Sequence, residues 1–118
     1  MLLTDTHCHL DFNSFDEDRQ QVLERAWDAG LTRILNPGID LQTSQSALEL
    51  SETHPNLFAA VGVHPTSASG WDGGSLPALR KLAAHPKAVA IGEIGLDYYW
   101  ESTPVPDQKR AFNDQLAL

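Results

Sequence analysis

Four times along the chain an apolar run suited to a β-strand is followed by a stretch with helical periodicity. The strand-like runs are "MLLTD", "TRILN", "LFAAVGV" and "AVAIGEI", beginning at residues 1, 32, 57 and 88. Parallel strands need a long crossover between them, usually a helix. Four β-then-α units in series therefore argue for a parallel sheet with helices outside it. Strand starts roughly thirty residues apart are also the rhythm of a (β/α)8 barrel, whose typical length is about 250 residues. The expected fold class is α/β: the first four βα units of a TIM-type (β/α)8 barrel, incomplete as given. An open four-stranded sheet is the competing architecture, and the pattern alone does not reject it. A half barrel would expose two edge strands and much apolar interior. The abrupt end at "DQLAL" reads as a truncation.

The helices have recognisable faces. In "SFDEDRQQVLERAWDAG", Ser14 and Glu17 have capping-box spacing. Phe15, Val22, Leu23, Ala26 and Trp27 fall on one face, and Gly30 supplies the stop. "LQTSQSALELSE" is a second helix, followed by a turn at His54-Pro55-Asn56. "LFAAVGV" is apolar throughout, as expected of a strand covered on both faces. "TSASGWDGGS" reads as a loop. Ser75 is the expected N-cap of a third helix that buries Leu76, Leu79, Leu82 and Ala83. A fourth begins near Asp107 with Ala111, Phe112 and Leu116 inward.

In parallel α/β folds, ligands gather at the C-terminal ends of the strands. Here those ends carry Asp5, His7 and His9, then Asn36, then His64, then Glu93 and Asp97. His7 and His9, at i and i+2, project from one face of an extended segment and can share a cation. Cys8 between them points to the other face and reads as packing. Asp5 lies on the histidines' side, where it could orient one of them or merely close a strand-end hydrogen bond. Glu93 sits in an otherwise apolar strand, where a charge is costly without a partner. A shared cation would be that partner; a structural ion pair with arginine is the alternative. His64 can bind substrate phosphate, donate a proton or only bond its loop. Asp97 can support the ligands or touch substrate. His54 and His85, each before a proline at the opposite rim, read as turn residues. Tyr98, Tyr99 and Trp100 can stack on nucleobases or pack under a loop.

The formal charge of −8 excludes a generally basic nucleic-acid surface. Polyanions stay accessible only through metal ions or a local basic pocket. Cys8 is the single cysteine, so no internal disulfide forms. "MLLTDTHC" lacks the basic and long apolar regions of a signal peptide. No run approaches the roughly 18 apolar residues of a membrane span. A soluble, cytoplasmic protein without a membrane partner is expected.

With "DTHCHLDF", "GVHP" and "IGEIGLDYY" in this order and spacing, the chain resembles the TatD family of metal-dependent deoxyribonucleases, which belongs to the metal-dependent hydrolases built on TIM barrels. The resemblance runs from Leu3 to the end. It implies that residues 1–118 are the N-terminal half of a single metal-dependent hydrolase barrel domain. It further implies that His7 and His9 bind one divalent metal while Glu93, the catalytic carboxylate, bridges to a second. His64 and Asp97 match positions lining the active-site mouth. The implied reaction is hydrolysis of DNA phosphodiester bonds, commonly from the 3′ end, with two ions (Mg, Mn or Zn) per complete site. The family's barrel continues further and supplies two more histidines and an aspartate. The chain is then either a fragment needing its C-terminal half or a half barrel that self-associates. Two alternatives stand beside this: an inactive metal-binding fragment, and a related barrel hydrolase acting on amides, lactones or phosphotriesters. "GEIGLDYY" favours the nuclease branch.

Overall fold

The computed structural model describes residues 2–118. The expected start of the first strand at Met1 lies outside the described residues. The elements run β1 (Leu3–Asp5), α1 (Arg19–Asp28), β2 (Leu31–Pro37), α2 (Leu41–Glu52), β3 (Leu57–Val61), α3 (Ser75–Ala83), β4 (Ala88–Ile91) and α4 (Val105–Leu116). Short 3-10 turns cover Asn13–Phe15 and Pro65–Gly70. The sheet order is β1-β2-β3-β4 and every pairing is parallel. Asp5 pairs with Ile34, Asn36 with Ala59, and Val61 with Ile91, so the C-terminal strand ends lie side by side.

Two apolar clusters hold the helices to the sheet. Leu10, Leu23, Ile34 and Leu57 join α1 to the strands, with Cys8, Phe15, Val22, Ala26 and Trp27 packed around them. Ala47, Leu48, Ala59, Val61, Leu79 and Ala111 join α2, α3 and α4, with Leu76, Leu82 and Ala83 at the margin. The edge strands are partly bare: Val89 on β4 is 56% exposed and Leu3 on β1 is 39% exposed. These are the two edges of a parallel sheet whose strands would be buried on both faces in a closed barrel.

Several boundaries differ from the sequence expectation. Ser14 and Glu17 form no capping box; α1 begins only at Arg19, and its N-cap Asp18 makes no side-chain cap bond. The cause is the Arg19 guanidinium, which reaches back to the carbonyls of Leu10, Asp11 and Phe12 and to Asp16. Those bonds hold residues 10–18 as a folded connection in place of two more helical turns. The capping box forms instead at α2. There Asp40 Oδ1 accepts from Thr43 N at 2.7 Å, and Thr43 Oγ1 accepts from Asp40 N at 3.0 Å. Ser75 is the first residue of α3 and not its cap. Its hydroxyl donates to Asp72 Oδ1, which also accepts from Gly74 N. Leu116 faces solvent, 62% exposed, while Gln108, Ala111 and Gln115 point inward and Phe112 is half-buried. The first helix does stop as expected, at Gly30 with φ 99°.

Close approach at the strand ends depends on one glycine. A Cβ on Gly62 would lie 2.7 Å from the carbonyl carbon of Gly92. Any side chain there would push β3 and the segment after β4 apart. At the opposite rim, Lys87 Nζ donates to the carbonyls of His54, Pro55 and Leu57. His54 and His85 serve those turns, accepting at Nδ1 from Asn56 N and Lys87 N respectively.

Candidate metal centre

The segment leaving β1 is fixed from β2. Asn36 is 1% exposed; its Oδ1 accepts from Leu10 N at 2.6 Å and Asp11 N at 3.3 Å. Its Nδ2 donates to Asp11 Oδ1 at 2.7 Å. This brace, with Phe12 stacked on the His9 ring at 4.6 Å, sets where His9 points. Asp5 Oδ1 accepts from the main-chain N–H of His7, so it steadies the backbone and not the ring. Glu93 arrives from β4, with Gly92 N–H donating to Val61 O and Glu93 N–H to Gly38 O, both at 2.9 Å.

The three side chains converge. His7 Nε2 lies 2.9 Å from Glu93 Oε1, His9 Nε2 lies 3.7 Å from Glu93 Oε2, and the two Nε2 atoms are 3.2 Å apart. All three donor groups fall within 4.8 Å of one another. Nitrogen and oxygen ligands at about 2.0–2.2 Å from a cation stand roughly 3–3.5 Å apart around it. The His7–Glu93 and His7–His9 separations are close to that range, and the His9–Glu93 separation is a little longer. The protein alone satisfies this arrangement poorly: a hydrogen bond between the rings needs one Nε2 protonated and the other bare, while both face a carboxylate. The Nδ1 atom of His9 is buried without a hydrogen-bond partner among the described residues. The residues fit a divalent cation, and no arginine occupies Glu93 in its place among the described ion pairs.

Cys8 turns away into the α1 cluster. Burial, reinforced by the charges of Asp5 and Asp11, pushes its thiol up, which keeps it protonated and a poor ligand. His64 and Asp97 stand outside the three-residue group. His64 N–H donates to Ile39 O at 2.8 Å, and its Nδ1 accepts from Thr66 N and pairs with Thr66 Oγ1 at 2.7 Å. An Nδ1 that accepts leaves the proton of the neutral ring on Nε2. Asp97 Oδ1 accepts from Tyr99 N and Trp100 N. The Trp100 N–H chiefly, then that of Tyr99 and the nearby His64, hold its carboxyl below the usual carboxylate range.

Some supporting residues carried no sequence signal that was read. Gln108 and Gln115 sit seven apart on α4, both buried. Gln108 accepts from Asp97 N and donates to Asp97 O and Thr103 O. Thr103 in turn donates to Thr66 O. The loops bearing His64 and Asp97 are thus tied to one helix. A helical wheel that marked amides on the apolar face of α4 would have flagged both.

A parallel βα sheet with metal-competent side chains at its C-terminal strand ends is the architecture of a TIM-type barrel, here incomplete. Residues 4–118 match the family model described as TatD related DNase, and the chain belongs to that family. It is 41% identical over 99% of its length to the uncharacterized metal-dependent hydrolase YabD of Bacillus subtilis, covering 46% of that protein. It is 42% identical to the 3′-5′ ssDNA/RNA exonuclease TatD of Erwinia tasmaniensis, over 97% of this chain and 44% of the other. The crystal structure of YjjV, a TatD homolog from Escherichia coli, superposes with a TM-score of 0.87 at 34% identity, over 98% of this chain and 45% of that one. The chain thus spans less than half the length of these relatives. The family implies a divalent metal. Among the described residues, no helix is long and apolar enough to cross a membrane.

Proposed function

We propose that residues 1–118 form the N-terminal half of a single barrel domain whose activity is metal-dependent hydrolysis of phosphodiester bonds in single-stranded DNA, from the 3′ end. The observation that carries this reading is the convergence of His7 Nε2, His9 Nε2 and the Glu93 carboxylate within 4.8 Å. The activity for which the Erwinia relative is named, a 3′-5′ ssDNA/RNA exonuclease, supports the substrate class.

In this reading His7, His9 and Glu93 would hold the divalent ions, with Glu93 as the catalytic carboxylate. Magnesium, manganese and zinc all suit such nitrogen and oxygen donors. When bound, divalent ions supply Lewis acidity at the phosphoryl oxygens and make water more acidic. The protein's own groups do the rest. Asn36 and Asp5 hold the histidine segment so that both Nε2 atoms stay aimed at one point. The His64 Nε2–H, fixed by Thr66, donates to a phosphate oxygen at the mouth. Asp97 orders the loop beside it. Cations, and not a basic surface, offset the substrate's charge on a chain of net charge −8. We place the reaction in the cytoplasm, where the single thiol of Cys8 stays reduced.

The test is digestion of 5′-labelled single-stranded DNA with manganese or magnesium, against EDTA and a Glu93→Gln control. A ladder shortening from the 3′ end, lost with EDTA and with Glu93→Gln, is expected. Shortening that survives Glu93→Gln would sink the assignment. A second reading, a fragment that binds metal without cleaving, is favoured by the count of three ligands. It gives one bound ion and an intact ladder.

A further inference from the structure

We propose that the loop after β4 is a base-binding subsite, in which the cavity lined by Tyr98 and Trp100 takes an unstacked nucleobase bearing an exocyclic amino group. This deepens the nucleic-acid reading above and rests on it.

Tyr98, Tyr99 and Trp100 are 63%, 80% and 63% exposed, so they do not pack under a loop of this chain. The loop that presents them is nonetheless fixed. Asp97 Oδ1 accepts from the main-chain N–H groups of Tyr99 and Trp100. Buried Gln108 bonds both polar main-chain groups of Asp97 and the carbonyl of Thr103. Tyr99 stands edge-on to Trp100, with centroids 4.8 Å apart and planes at 89°. A loop already fixed in its main chain loses little freedom when a ligand stacks on the rings it carries.

The cavity beside them, about 350 Å³, has Tyr98, Trp100, Pro104 and Val105 as apolar wall and Asp97 and Glu101 as charged wall. Its volume lies at the small end of small-molecule sites. Two of the other polar groups are already committed. Both Gln108 amide hydrogens are donated and its oxygen accepts, while the Thr103 hydroxyl donates to Thr66 O. What remains for a ligand is the carboxylate oxygen of Asp97 and Glu101, which accepts and repels anions, together with the Tyr98 hydroxyl and the Trp100 indole N–H. The two carboxylates disfavour a phosphate and favour a base that offers N–H groups, while the two aromatic donors can meet its ring nitrogens or carbonyls. Guanine presents adjacent N1–H and amino donors to a single carboxylate. Adenine and cytosine present an amino group. Thymine presents one N–H between two carbonyls that a carboxylate repels. Glu93 lies four residues before Asp97, so a base held here belongs to a nucleotide close to the metal centre.

The test titrates neutral nucleosides (guanosine, adenosine, cytidine, thymidine) into the chain in EDTA, reading tryptophan emission. Trp71 is buried and Trp27 stacks on His54, so Trp100 is the reporter exposed to ligand. Saturable quenching is expected, with thymidine about tenfold weaker than guanosine, the scale of one hydrogen bond to a charged group. Glu101→Gln should narrow that gap without abolishing quenching. Trp100→Ala should weaken single-stranded DNA binding about 5- to 100-fold, and Trp100→Phe should restore much of it. Three results overturn the subsite: no saturable response to any nucleoside; equal affinity for all four in both the native chain and Glu101→Gln; or a Trp100→Ala variant altered only in self-association by sedimentation. A manganese titration of the same preparation separates the two proposals. Metal binding without nucleoside response removes the subsite alone, whereas nucleoside response without metal binding supports the subsite and counts against the metal centre.

Discussion

Gln115 satisfies both main-chain polar groups of Val63. Its Oε1 accepts from Val63 N at 2.7 Å and its Nε2 donates to Val63 O at 3.1 Å, with the residue 2% exposed. Val63 immediately precedes His64, so a helix fifty-two residues later in the chain sets where the β3 loop begins. Replacement by leucine keeps the volume and strands a buried donor and acceptor. Gln115→Leu should cost about 1–3 kcal/mol, measured by urea unfolding. A midpoint unchanged from the native chain would show that water replaces the amide freely.

Leu116, the next residue, tests the same face from the other side. It is 62% exposed, whereas Leu79 on α3 is fully buried. Leu79→Ala should cost about 2–5 kcal/mol as a cavity opens, and Leu116→Ala should stay within about 0.5 kcal/mol. Comparable losses at the two sites would mean that Leu116 is covered in solution, for instance by a second copy.

These residues also show what the sequence could and could not reveal. Strand spacing and apolar runs placed all four strands, and α2 spans Leu41–Glu52 as its pattern indicated. Strand periodicity and the cost of a lone charge single out His7, His9 and Glu93. Yet β1 ends at Asp5 and β4 at Ile91, so the three side chains meet on the segments that follow the strands and Glu93 does not lie within one. The start of α1 was not legible, because Arg19 bonds to the carbonyls of Leu10, Asp11 and Phe12, beyond the reach of local capping, and overrides it. On α4 the expected inward face holds at Ala111 but fails at Leu116, for a related reason. Hydrophobicity marks what water rejects, yet this face meets unpaired main-chain groups and needs amides. Asn36 was seen as a strand end but not as a brace, since its partners lie twenty-five and twenty-six residues away.

That brace leads to a prediction about affinity. Asn36→Ala removes the acceptor for Leu10 N and the donor to Asp11, freeing the segment that carries His9. Groups that orient metal ligands typically matter by about 10- to 100-fold in affinity, and the same loss is expected for manganese binding by calorimetry. Lower stability with native affinity would make Asn36 purely structural.

Acid stability should carry the signature of Asp97. Its carboxyl is held below the usual range by the Trp100 and Tyr99 N–H groups and nearby His64. A depressed carboxylate stabilises the fold above its unfolded pKa, about 3.9. That contribution is lost as pH falls through the lower folded value. Asp97→Asn should therefore flatten the fall in unfolding midpoint below about pH 5 and leave the neutral-pH slope alone. Asp72, lowered chiefly by the Gly74 N–H, should behave likewise. An unchanged acid limb in both variants would contradict these assignments.

Metal should be coupled to stability through three residues and not through a fourth. A ligand that binds only the folded state at a hundred times its dissociation constant stabilises by about 2.7 kcal/mol. For a domain of this size that raises Tm by roughly 10 °C. Saturating manganese should produce such a rise in the native chain, and EDTA should reverse it. His9→Ala and Glu93→Gln each remove one of three convergent donors and should abolish most of the shift, as should His7→Ala despite its 57% exposed side chain. His64→Ala should retain the shift in full, because its ring lies outside the cluster and is engaged by Thr66. Equal loss in His64→Ala would place the ion at the mouth of the site, between β3 and β4. Equal retention in all four variants would mean that manganese binds elsewhere on this acidic surface.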